Sequence, residues 1–247
     1  IFGPLLTLGK TIKKNLYMSW LTNFLFSSIG RKLTMSLTGI FLILFLTVHL
    51  LGNLQLLAGD GGEKFNLYAD FMGQNPLIQF ISIGNFFFIF LHAVLGILLY
   101  FQNKAASGGG TSRYAVKSTK TTTYSSRNMA WFGTVILVFI LIHLFQFWFK
   151  MKMTSIPELV TYDGVEVKNL YTLVAATFSN IPFVIFYVVS MIVIGLHLSH
   201  GFQSAFQTLG LNHKKYTPII NGLGTAYSIL IPLGFAIIPI VFYLTKA

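Results

Sequence analysis

The chain contains no cysteine. Structural disulfides, thiolate metal sites, iron–sulfur ligation and the C-x-x-C-H haem attachment motif are therefore excluded. Charge is scarce as well. Only 9% of the 247 residues are Asp, Glu, Lys or Arg, and only six are acids, against about 25% charged residues in soluble domains. No dinucleotide-binding fingerprint is present, and no signal-peptide pattern opens the chain, so none is expected to be cleaved. What replaces charge is apolar surface: 54% of residues are hydrophobic and mean hydropathy is +0.71. Five runs, 33–57, 77–101, 130–149, 181–209 and 218–244, are long enough to cross about 30 Å of hydrocarbon as helices. The expected fold is an all-α integral membrane protein, an up-down bundle of five transmembrane helices spanning residues 31–245. Residues 1–30 form a cytoplasmic segment, in which 1–17 read as an extension upstream of Met18 with interfacial amphipathic character.

The net charge of +11 follows membrane topology rather than nucleic-acid binding. Lys10, Lys13, Lys14, Arg31 and Lys32 precede the first run without any acid. Lys104, Arg113, Lys117, Lys120 and Arg127 fill the second-to-third connection, and Lys214 and Lys215 the fourth-to-fifth. All six acids (Asp60, Glu63, Asp70, Glu158, Asp163, Glu166) fall in the other two connections. The positive-inside rule puts the N-terminus in the cytoplasm and the C-terminus outside. The long Gly/Ser/Thr-rich stretch 102–127 reads as a flexible cytoplasmic linker, with a docking surface for a soluble partner as the alternative. The fifth run carries Pro232 and Pro239, is expected to kink there, and reads as a packing helix.

Inside the runs there is no acid, and no base other than histidine. His49, His92, His143, His197 and His200 lie on four different helices, and intramembrane ionisable groups are functional candidates by default. Helix rise sorts them by depth. His49 and His143 sit roughly 10–14 Å below the outer surface, while His92 and one of His197 or His200 share an inner layer. Two imidazoles facing each other across a bundle are the axial set of a low-spin haem. Zinc would need further ligands in each layer, and the runs offer no acid or thiol to supply them. A porphyrin wants Phe, Leu and Ile around it, and Gly52, Gly96 and Gly201 follow histidines by one turn, where a missing side chain either seats a macrocycle or lets helices pack closely. Two b-type haems stacked across the membrane would form an electron path.

The stretches "SSIGRKLTMSLTGIFLILFLTVHLLGNLQ" (27–55), "FLHAVLGILLY" (90–100), "LIHLFQFW" (141–148) and "LHLSHGFQSAFQTLGLNHKKY" (196–216) resemble the cytochrome b membrane anchor of succinate:quinone oxidoreductases, in its single-subunit, five-helix, di-haem form. The resemblance implies that His49 and His143 hold an outer haem and that His92 and the fourth-helix histidine hold an inner one. His197 is preferred over His200 because His92 and His197 share H-x-x-x-G with Gly96 and Gly201; crude depth matching alone slightly favours His200. The resemblance also implies a bacterial inner-membrane complex with a flavoprotein and an iron–sulfur subunit on the cytoplasmic face, with quinone, commonly menaquinone, as electron partner. The chain itself would hold no succinate-oxidising site. It lacks the glutamate that some two-haem relatives carry in the fourth helix. Candidate propionate contacts are Arg31, Lys32, Ser36, Arg127 and His200. Quinone candidates are Asn53, Gln55 and Glu63 outside, and Ser28 and Arg31 inside. Two rivals stay open: a cytochrome b subunit of another quinone-linked dehydrogenase, and a transporter that uses histidines without haem.

Overall fold

The computed structural model describes residues 20–106, 124–155 and 157–245. Residues 1–17 and the linker cations Arg113, Lys117 and Lys120 lie outside them. A short helix α1 (Trp20–Phe26) leads into α2 (Ser28–Leu54), which a 3-10 turn extends to Leu57. There follow α3 (Glu63–Gln74), α4 (Pro76–Ala106) and the one-turn α5 (Tyr124–Arg127). α6 (Met129–Met153) is followed by strands β1 (Leu159–Tyr162) and β2 (Val165–Lys168). The chain closes with α7 (Leu170–Phe178), α8 (Ile181–Thr208) and α9 (Thr217–Thr245). The five long helices, α2, α4, α6, α8 and α9, are apolar and long enough to span a membrane. Their ends differ from the apolar runs by a few residues for local reasons. α2 starts at Ser28 because the Ser27 hydroxyl accepts from the Gly30 amide at 3.0 Å, an N-cap that sequence hydropathy does not register.

The faces turned away from the bundle carry large apolar side chains, on α4 for instance Leu77, Phe80, Ile83, Phe87, Phe90 and Phe101. In water such a surface would be costly; against lipid tails it is neutral. The inner core joins Phe139, Tyr187, Met191, Ile194, Leu198, Ala236 and Phe242. α8 and α9 make the most extensive helix contact in the bundle.

Two features of the connection between α6 and α8 depart from an all-helical bundle. β1 and β2 form an antiparallel hairpin pairing Tyr162 with Val165, closed by Asp163 (φ 48°) and Gly164 (φ 83°), the left-handed pair that two-residue hairpins favour. α7 is a short helix that leads from the hairpin into α8. Asn66 of α3 holds these pieces together. It is almost wholly buried, donates to the Tyr162 hydroxyl (3.0 Å) and to Asn169 Oδ1 (3.1 Å), and accepts from the Tyr171 amide (3.0 Å). A buried amide with its groups paired is stable where an unpaired one would cost about 1–3 kcal/mol. α3, the hairpin and α7 thus cap one end of the bundle.

α9 stays one helix through Pro232 and Pro239. Pro232 has no N–H, so the Ser228 carbonyl four residues earlier loses its helical donor. Gly195 of α8 lies against that same carbonyl: a Cβ added there would stand 2.9 Å from the Ser228 oxygen and 3.6 Å from Pro232 Cγ. A Cα–H facing the freed carbonyl is the close approach that glycine permits between membrane helices. Gly195→Ala is expected to push α8 off α9 at a cost of about 1–3 kcal/mol. The check is the thermal unfolding midpoint of the purified chain in detergent, which should fall. Gly195 precedes His197 by two residues, so this contact also fixes the turn that presents His197.

Candidate functional site: two histidine layers

The bundle brings the four histidines together as two pairs. The His49 (α2) and His143 (α6) ring centres are 6.0 Å apart with planes at 86°. The His92 (α4) and His197 (α8) centres are 6.4 Å apart with planes at 67°. Three helices serve both layers. On α2, Thr38 meets His92 eleven positions before His49; on α6, Gly133 meets His197 ten positions before His143. On α8, Tyr187 meets His143 ten positions before His197. At 1.5 Å per residue each interval is about 15–17 Å. α8 crosses the layers in the opposite sense to α2 and α6.

The spacing within each pair has a chemical meaning. An imidazole nitrogen bonds a metal at about 2.0–2.1 Å, and the ring centre lies about 1.1 Å behind it. Two imidazoles on opposite sides of one metal atom therefore stand about 6.2–6.4 Å apart. Both pairs match that span to within a few tenths of an ångström. Among the described residues no three His, Cys, Asp or Glu side chains cluster, so each layer offers two protein ligands and no more. A metal that brings its own equatorial nitrogens satisfies that count, whereas a tetrahedral zinc site does not.

The surroundings suit an apolar macrocycle. Phe45 stacks on His49 at 5.2 Å and Phe139 on His143 at 5.7 Å. Phe235 flanks His49 at 5.6 Å and Phe147 flanks His143 at 5.3 Å. In the second layer two glycines face the rings. A Cβ on Gly39 would stand 3.4 Å from His92 Cε1, and one on Gly133 3.8 Å from His197 Cε1. All four histidines lie deep among the helices yet keep some accessible surface.

The glycines singled out by sequence have other neighbours. A Cβ on Gly52 would meet the Tyr68 ring, on Gly96 the Met35 methyl and on Gly201 the Met129 methyl. Tyr68 lies on α3 outside the spans, and burial raises its phenol above the ordinary value. Gly39 and Gly133 carry no histidine on their own turn, which is why spacing along one helix could not find them.

Three of the four rings also have a characteristic partner at Nδ1. His92 Nδ1 lies 3.1 Å from the Thr38 hydroxyl, and His143 Nδ1 lies 3.3 Å from the Tyr187 hydroxyl. His49 Nδ1 lies 3.3 Å from Asn53 Nδ2, which also donates to the His49 carbonyl at 2.7 Å. His197 Nδ1 is buried without a hydrogen-bond partner among the described residues. Tyr187 in turn donates to Gln146 Oε1 at 2.7 Å. Gln146 is buried inside a π-helical stretch, Leu144–Phe149, that starts just after His143. π-turns are rare and concentrate at functional sites. Thr38, Gln146 and Tyr187 escaped sequence reasoning because each is a common polar residue on an apolar helix.

The remaining candidates divide. His197, not His200, pairs with His92. The reason is helical: three residues further on, His200 stands about 4.5 Å along the axis. Arg31 and Lys32 line a cleft of about 400 Å³ with Ser28, Leu99, Gln102 and Asn103, where α2 begins and α4 ends. Arg31 Nε is buried there without a partner among the described residues. Ser36 is buried and its hydroxyl donates to the Lys32 carbonyl at 3.0 Å, so its proton is used within its own helix. Arg127 is exposed at the end of α5. Gln55 opens the 3-10 turn. Glu63 sits in the first turn of α3, where an acid complements the helix dipole. Asn53 is turned onto His49 as described.

Comparison with protein-family models, curated proteins and solved structures finds no match.

Proposed function

We propose that this chain is a di-haem cytochrome b of the membrane-anchor kind, carrying electrons between an iron–sulfur subunit and a membrane quinone in a succinate:quinone oxidoreductase. The observation that carries the reading is the pairing of four intramembrane histidines into two layers, each with the span of a bis-imidazole metal site. His49 and His143 would hold one haem b, and His92 and His197 the other; what such groups supply is one-electron exchange at two depths in the membrane. The chain's own residues do the rest. Phe45, Phe139, Phe147 and Phe235 exclude water from the first layer, and Gly39 and Gly133 leave room in the second. Thr38 and Tyr187 orient the rings they touch. With the N-terminus on the cytoplasmic side, as the positive-inside rule has it, the Arg31–Lys32 cleft opens toward the soluble flavoprotein and iron–sulfur partners. Asn53, Gln55 and Glu63 then lie toward the outer end, where quinone and protons would exchange.

The assay is direct. The tagged full-length chain, purified from its native membrane in mild detergent, is expected to bring down a flavoprotein and an iron–sulfur protein. That preparation should reduce a quinone analogue with succinate. Recovery of b-type haem with a hydrogenase or formate dehydrogenase, and no succinate-dependent reduction, would move the chain to another quinone-linked complex.

A further inference from the structure

In each layer one histidine touches a hydroxyl whose own proton is already committed. The Thr38 hydroxyl lies 2.9 Å from the Thr34 carbonyl and 3.0 Å from the Met35 carbonyl. Carbonyls only accept, so the one hydroxyl proton faces them, and Thr38 presents lone pairs to His92 Nδ1. In the other layer the Tyr187 proton goes to Gln146 Oε1, so the phenol oxygen presents lone pairs to His143 Nδ1. A phenol that donates is also a better acceptor, since linked hydrogen bonds polarise one another. A neutral imidazole carries one proton. Held on Nδ1, that proton leaves the Nε2 lone pair free.

The two arrangements come from different residues on different helices, Thr38 on α2 and Tyr187 on α8, and they serve different partners, His92 on α4 and His143 on α6. Thr38 is 2% exposed and Tyr187 6%, so water does not compete for either bond. The other ring of each pair lacks such an acceptor: His49 meets an amide donor and His197 nothing.

We infer that Thr38 and Tyr187 are positioning residues, one per layer, that lock His92 and His143 in the tautomer with Nε2 free and tune the two metal sites independently. This deepens the di-haem reading and rests on it. An acceptor on Nδ1–H makes the imidazole a stronger electron donor, which favours the more oxidised metal. Removing the acceptor should therefore raise the reduction potential of that layer's haem and leave the other unchanged.

The test is an optical redox titration of the purified full-length chain, with haem counted alongside. The layers are assigned by His92→Ala and His143→Ala, each expected to delete one haem. Thr38→Val keeps the side-chain shape and removes the hydroxyl. It is expected to shift the second-layer haem upward by about tenfold in its reduction equilibrium, which is 59 mV for one electron, and Thr38→Ser should restore it. Tyr187→Phe should do the same to the first-layer haem only. Selective loss of the corresponding haem, restored by Thr38→Ser, supports the inference equally. Retention of both haems with unmoved potentials in Thr38→Val overturns it, as does a shift that Thr38→Ser fails to reverse or one shared by both haems. If Thr38→Val and Thr38→Ser alike lose both haems, the fold has failed, and Tyr187→Phe decides at the other layer. A wild-type chain that binds no haem defeats the underlying reading, and this inference with it.

Discussion

Replacing His197 by alanine is expected to lower the haem content of the purified chain from two to one, while His200→Ala leaves it at two. The two histidines share a helix face and differ by one turn, so sequence alone ranks them only by a shared H-x-x-x-G pattern. The bundle separates them by partner. His197 faces His92 across 6.4 Å, and His200 stands about 4.5 Å further along the axis, too far for one iron to exchange the two without moving α8. The Gly195 contact with α9 opposes such a slide. His197 Nδ1 is also buried without a partner among the described residues. The remaining haem in His197→Ala should vanish in the His197→Ala/His143→Ala double variant, because the layers are about 15 Å apart and share no ligand. Haem counted by the pyridine haemochrome method on equal protein gives the answer. Loss of a haem in His200→Ala, with His197→Ala retaining both, would reverse the ligand assignment.

The second large effect is steric. Gly39→Leu is expected to remove the second-layer haem and keep the first, whereas Gly96→Leu should retain both with at most a modest loss of stability. A Cβ at Gly39 already stands 3.4 Å from the His92 ring, and the three further carbons of a leucine would have to displace that ring from the place where it would hold the group. Overpacking a fitted site costs about 1–3 kcal/mol, roughly 5- to 150-fold in affinity. At Gly96 the nearest neighbour is the methyl end of Met35 at 3.5 Å, and an unbranched thioether chain can move aside. Haem content and thermal midpoint measured on both variants separate the cases. Equal haem loss in the two would mean that Gly39 is packing rather than a seat.

These glycines mark how far the sequence carries. Long apolar runs and the confinement of acids to two connections are one-dimensional properties, so the five spans and their approximate ends were legible. Depth is also one-dimensional: counting residues from the helix ends paired His49 with His143 and left His92 with a fourth-helix partner. Rotation about the helix axis is not. A helix apolar on every side gives little sign of which face turns inward, so Thr38, Gly39, Gly133, Gln146 and Tyr187 carried no signal in isolation. The π-turn after His143 depends on packing rather than on any residue that names it. The hairpin was more accessible, because Asp163-Gly164 between Val160-Thr161-Tyr162 and Val165-Glu166-Val167 is a two-residue turn signal. α3 is short and amphipathic, held by Asn66 contacts that arise only once the chain is folded.

The measurement closest to the central claim is the dithionite-reduced minus oxidised absorption spectrum of the purified full-length chain, with haem quantified against protein. The account requires a b-type alpha band and two haems per chain, falling to one in either His49→Ala or His92→Ala. A chain that folds, purifies and shows no such band would contradict it, and would return the histidines to a proton-relay or substrate-binding role.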